Sequence, residues 1–226
     1  MKQIIKDLCP PLLWRKLQDI RSQVRPHQVR MSGESQDLDL YWTPEMAQVL
    51  ETWADGNAWL EVQFLMANCK GQVIDIACGT GKTMTLLDRT RLDIKGCDIS
   101  DLLIKKAVER GLPADSVEVC DATKLPYAAN EFDYSYSIGS LEHFTEEGIE
   151  KFIDEAARVT KVGSFHMMPT SRSGKDEGWM KTYQSFHNCS PSWRVKRFER
   201  QFTRVRVLDS NWNDRISVGK WFLCYH

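Results

Sequence analysis

The sequence predicts an α/β fold built on a mostly parallel sheet, and three observations carry that expectation. The apolar run Val73-Ile74-Asp75-Ile76-Ala77 reads as a buried strand, breaks into a turn holding Gly79 and Gly81, and resumes at Thr83 as a helix start. Two further apolar runs also end in acids, at Asp98 and Asp121. Helical patterns fill the spaces between them, the alternation that builds crossover units.

The glycine turn separates three ligand classes. A triphosphate loop needs a glycine five positions before Gly81-Lys82-Thr83, and that position is Ile76. A dinucleotide turn needs a small residue three positions after Gly81, and that position is Met84. The third pattern, Asp75-x-Ala77-Cys78-Gly79-Thr80-Gly81, resembles motif I of the class I S-adenosylmethionine (SAM)-dependent methyltransferases. The resemblance covers about residues 70–162. It implies a Rossmann-like, doubly wound sheet of seven mostly parallel strands, with an antiparallel C-terminal hairpin and an N-terminal helical lid. It points to the small-molecule, type 11-like branch, with SAM as cofactor and S-adenosylhomocysteine as product.

Each later motif has its place in that frame. Asp98 lies 17 residues beyond Gly81, and a carboxylate there can accept both ribose hydroxyl protons. Residues 101–110 form an amphipathic helix closed by Gly111 and Pro113. Ser116–Ala122 is a third strand, and Phe132–Ile138 a fourth, leading into Leu141-Glu142-His143-Phe144. The resemblance implies that Asp121 meets the adenine amino group. The expected cofactor contacts are Asp75, Ala77, Gly79, Gly81, Asp98, Ile99, Asp121, Ala122 and Ser137. Asp75 is also read as a buried acid that holds the turn. Lys82 is read as a solvated helix-start residue.

Upstream, Thr43 is placed as an N-cap with Pro44 behind it, opening helices at about 44–54 and 57–69 divided by Asp55-Gly56. Trp53 and Trp59 are assigned to the core. Downstream, residues 145–160 form a helix capped by Thr145, with Glu146 and Glu147 in the first turn. Residues 164–169 form a fifth strand, and 170–179 a polar loop. Arg172, Lys175, Trp179 and Tyr183, with Tyr41 and Trp42 from the lid, are the substrate candidates; a mobile surface loop is the competing reading for 170–179. A helix is expected in 191–206, then a strand over 205–208, and residues 217–225 as the last strand.

The domain division is a basic arm over 1–40 and one methyltransferase domain over 41–226. Residues 1–30 carry seven Lys/Arg against Asp7 and Asp19, and Leu13, Leu17, Ile20 and Val24 share a helix face. Such a helix packs on the domain or on a second subunit, making a homodimer, or it lies on an anionic membrane. The Lys-rich start, Pro10-Pro11 and the basic helix are similar to methyltransferases of bacterial polysaccharide gene clusters. The whole chain of 226 residues carries a net charge of −1, which does not argue for nucleic acid. Seven cysteines without a Cys-x-x-Cys pair fit a reducing compartment. The expected location is the cytoplasm, with peripheral contact at the inner face of the plasma membrane through residues 1–25. No ligand-spaced cluster calls for a metal.

SAM chemistry needs an acceptor aligned with an electrophilic methyl group, and positioning supplies much of the rate. An oxygen acceptor also needs a base. His143 is the candidate, its alternative being to pack beside the cofactor and orient the loop. Ser137-Ile138-Gly139-Ser140 stands where nucleobase amino-methyltransferases carry Asn/Asp-Pro-Pro-aromatic. The expected acceptor is a small molecule or glycan, a sugar hydroxyl in surface-polysaccharide synthesis; an RNA methyltransferase or a non-catalytic SAM-binding scaffold is the alternative.

Overall fold

A computed structural model of the chain describes residues 29–30, 43–53, 58–182 and 184–226. Of the expected arm only Val29–Arg30 (β1) is described. Residues 1–25, Tyr41, Trp42, the Asp55-Gly56 break and Tyr183 lie outside the described residues.

Helix α1, Pro44–Leu50, starts where the cap predicts, with the Met46 amide donating to Thr43 Oγ1 at 3.2 Å. Helix α2, Ala58–Met66, is followed by β2, Gly71–Ile76, and by α3, Lys82–Leu86. Strand β3 is Leu92–Asp98 and α4 is Asp101–Glu109, capped by Ser100. Strands β4 and β5 are Val117–Val119 and Phe132–Ile138. Helix α5, Glu146–Val159, has the Gly148 amide donating to Thr145 Oγ1 at 3.1 Å.

The seven-stranded sheet has the order β4-β3-β2-β5-β6-β10-β9, with β6 at Thr160–Ser171, β9 at Arg204–Asn213 and β10 at Ser217–Tyr225. Strands β2 to β6 pair in parallel, whereas β10 runs antiparallel to both β6 and β9. Alternate residues of one strand enter opposite cores. Val73 packs with α2 and α4 through Val62, Met66 and Ala107, while Ile74 and Ile76 pack with α5 through Ile149, Phe152 and Ile153. Helices therefore cover both faces. Each large apolar side chain of α5 buried in this way contributes about 1.5–3 kcal/mol.

Residues 170–179 depart from the expected loop. Strand β6 continues to Ser171, and Gly178–Lys181 (β7) joins a second sheet of order β1-β7-β8, with β8 at Phe186–Asn188. Helix α6, Pro191–Phe198, follows, with Ser190 as its cap. The small sheet went unread because its strands are four and three residues long, too short to show a period.

Candidate active site

Parallel sheets bind ligands beyond the carboxyl ends of their strands, where the strand order reverses. Here the chain runs outward from β2 to β3 and β4, then returns to β5 on the other side of β2. A cavity of about 390 Å³ opens at that point, within the range of ~300–1,000 Å³ usual for small-molecule sites.

Its wall carries Asp75 near the end of β2 and Ala77 after it, Gly79 in the turn, Asp98 at the end of β3 and Ile99 after it, and Asp121 and Ala122 after β4. The Asp98 carboxylate accepts the Gly79 amide at Oδ2 and the Ser100 amide at Oδ1, both at 2.9 Å. It thereby clamps the glycine turn, while its remaining lone pairs stay available. Asp121 closes its own turn, accepting the Thr123 amide and hydroxyl at 2.8 Å. Asp75 accepts the Thr83 hydroxyl at 2.6 Å. Burial pushes the Asp75 carboxyl up to about 7, with the Thr83 bond pulling against it and Asp98 adding to it.

The two turn glycines do different work. Gly79 has φ +56°, and a Cβ there would meet only Leu50 Cδ1, at 3.7 Å, so this backbone borders open cavity. Gly81 has φ +67° and does not line the cavity; its Cβ would lie 2.3 Å from Leu112 Cδ1. Gly81, expected as a cofactor contact, makes a close approach between the turn and the α4 region.

Ser137, also expected as a cofactor contact, does not line the cavity. It is fully buried and bonds to His166 Nδ1 at 2.8 Å on the sheet interior. Arg172 does not line the cavity either. Its guanidinium donates to the Asp214 carbonyl at 2.6 Å and to Asn213 and Ser217, clamping the β9–β10 turn. Trp179 is buried edge-on to His187, with ring centroids 4.9 Å apart, and Lys175 stands exposed on the turn before β7.

Other residues take the substrate side. Because β10 is the antiparallel strand, the β9–β10 turn returns to the carboxyl edge beside Ser171. This brings Trp212 and Asp214 to the cavity, joined by Thr182, Gln184 and Phe186 from the small sheet and its connection. Trp53, assigned to the core, lines the cavity, its ring 5.2 Å from that of Trp212. Asn213-Asp214 between two apolar strands was a legible turn signal, but its distance in sequence concealed its position. Trp59 is buried as expected. Lys82 is not a free surface residue: its ammonium stands 4.0 Å over the Trp59 ring and donates to the Glu51 carbonyl. Arg110 ties Glu51 to Thr80, so α1 is latched onto the glycine turn.

His143 sits on the 3-10 turn Leu141–His143 after β5. Its Nδ1 lies 2.9 Å from the Ser185 carbonyl, which can only accept, so Nδ1 carries the proton. In the neutral ring the lone pair is then on Nε2, the form a general base requires.

Fold, turn and acid-lined cavity together define a class of protein. The methyltransferase domain family matches residues 73–163, and this segment carries the fold and glycine turn of a class I SAM-dependent methyltransferase domain. The chain is 38% identical over 109 residues to the probable tRNA methyltransferase 9B of Mus musculus, covering 47% of this chain and 23% of the relative. It is 35% identical over 153 residues to the demethylmenaquinone methyltransferase of Paenarthrobacter aurescens, covering 66% and 59%. It therefore spans less than two thirds of either relative. In fold it resembles a Haemonchus contortus phosphoethanolamine N-methyltransferase 2, with a TM-score of 0.64 at 15% identity, covering 81% of this chain and 57% of that one.

SAM is the cofactor of this domain class, and the cavity fits it. The glycine turn borders open space at Gly79, and the acids at Asp98 and Asp121 follow in order along the wall. No helix among the described residues is long and apolar enough to cross a membrane.

Proposed function

We propose that the protein transfers the methyl group of SAM to a hydroxyl of a small molecule or glycan, a sugar hydroxyl in surface-polysaccharide synthesis. The observation that carries this reading is His143 on the cavity wall, whose Nδ1 faces the Ser185 carbonyl, so that the neutral ring carries its lone pair on Nε2. SAM supplies a methyl group that is already electrophilic. The residues supply the rest: Asp98 and Asp121 hold the ribose and adenine ends, and the cavity walls align the acceptor and exclude water. Trp53, Trp212 and Phe186 offer flat apolar surfaces to the C–H face of a sugar ring, and Thr182, Gln184 and Asp214 offer hydrogen-bonding groups to its hydroxyls. Lys82 and His143 are the basic side chains of the described wall, and Lys82 is already engaged. This favours a neutral acceptor over a phosphate or carboxylate.

RNA methylation is the second reading, favoured by the likeness to a tRNA methyltransferase. Against it, the basic stretch 191–206 is partly engaged internally. Arg194 donates to the His187 carbonyl, and Arg197 and Arg200 pair with Glu146 and Glu150.

Methyl-labelled SAM incubated with neutral glycosides and with tRNA discriminates the two. With the glycoside that accepts label, His143→Ala is expected to lower kcat by about 10²–10⁴ while S-adenosylhomocysteine affinity stays within about threefold. Full activity in this variant would end the general-base assignment.

A further inference from the structure

Glu142 is the acid of the cavity wall that the binding scheme leaves unused. Its side chain is 1% exposed, and its Oε2 makes no hydrogen bond among the described residues. Burying a carboxyl with one oxygen left without a donor is unfavourable, so its retention on the wall calls for a compensating role. Its other oxygen, Oε1, lies 3.7 Å from Nε2 of His143. That separation is too long for a hydrogen bond and right for an ion pair that forms only when the ring is charged. Since Nδ1 is committed to the Ser185 carbonyl, any proton taken up by the ring arrives at Nε2, next to Glu142.

The surroundings leave this pairing intact. Around Glu142, burial pushes its carboxyl upward, while His143, its own backbone amide and, from α6, Arg194 pull against that. From β6, His166 is neutral, burial holding it down to about 3. From β8, His187 is enclosed by Trp179 and Trp193. From α5, Glu146 is paired with Arg197.

We propose that Glu142 is the positioning residue for His143: its carboxylate stabilises the imidazolium and aims the Nε2–H bond, so the two side chains act as one acid–base unit. The inference rests on the reading of His143 as the base. In the step it serves, the acceptor hydroxyl gives its proton to Nε2 as the oxygen–methyl bond forms. The sulfur–methyl bond breaks, and the sulfonium departs as a neutral thioether. Glu142 touches neither reacting atom and acts through the ring.

A carboxylate beside an imidazole favours the charged ring, so its removal lowers the pH at which His143 titrates. The test is ¹⁵N NMR titration of the histidine rings in the full chain without cofactor, for the unsubstituted protein and for Glu142→Gln. The His143 midpoint is expected to fall in the variant, and the acidic limb of the methyl-transfer pH profile to move the same way. An unchanged midpoint overturns the proposal. If the variant does not fold, the Glu142 carboxyl carbon of the unsubstituted chain is followed instead. Its resonance is expected to shift at the His143 midpoint, and one that ignores that midpoint overturns the proposal. Neither NMR measurement involves SAM or an acceptor, so a failure here is distinct from a failure of the methyl-transfer reading.

Discussion

Gly79 and Gly81 stand two positions apart in one motif, yet their surroundings oppose them. Both have positive φ, but the first faces cavity and the second faces Leu112 and Ala107. A Cβ at 81 needs both a strained backbone and displacement of Leu112. Gly81→Ala is therefore expected to lower stability by about 1–3 kcal/mol, read by urea denaturation; unchanged stability would show that the turn yields freely. The motif made the need for glycine legible, but not which glycine meets ligand, because that depends on the packing of a helix some 30 residues later. His143 was legible for a similar reason as Asp98: each lies at the carboxyl end of a strand, Asp98 as the last residue of β3 and His143 on the turn after β5. Ser137 was not, because alternation along β5 turns it away from the cavity and toward His166.

At the scale of elements, β5 and β6 bury a polar chain between them. Thr160 donates to Ser135, Ser135 bonds to Ser164, and His166 bridges Ser164 at 2.7 Å and Ser137 at 2.8 Å. The serines of β5 lie in a satisfied interior network. Burial lowers His166 from 6.5 to about 3. The ring stays neutral in the folded chain, while the unfolded chain takes up a proton below about 6.5. This contribution to stability is present above pH 6.5 and is lost as pH falls toward 3, at no more than about 1.4 kcal/mol per pH unit. Asp75 acts in the opposite sense, its contribution being present below pH 3.8 and lost as pH rises toward about 7. His166→Gln is expected to lose less stability than the unsubstituted chain between pH 6.5 and 4.5, measured by chemical denaturation. Identical pH dependence would remove His166 from the acid response.

The whole molecule was readable where local signals and topology agree. The run from β2 to α5 has strands, caps and acids in the expected order, because each strand end there is marked by a turn residue or a cap. Of the described substrate candidates, Arg172, Lys175 and Trp179 do not line the cavity. The polar segment 170–179 has a binding loop's composition, but strands take both its ends and Arg172 serves the β9–β10 turn. The wall comes instead from α1, the connection before β8 and the β9–β10 turn, brought together by the antiparallel return of β10. Composition cannot report such an arrangement, since its members are separated by more than 150 positions from Trp53 to Trp212.

The central claim is that this cavity is a SAM site and not a dinucleotide site. Calorimetric titration of the full chain with S-adenosylhomocysteine, and separately with NADH, tests it most directly. Saturable micromolar binding of S-adenosylhomocysteine, greatly weakened in Asp98→Ala, with no binding of NADH, is the predicted result. Binding of NADH without S-adenosylhomocysteine, or S-adenosylhomocysteine affinity unchanged by Asp98→Ala, would contradict the account.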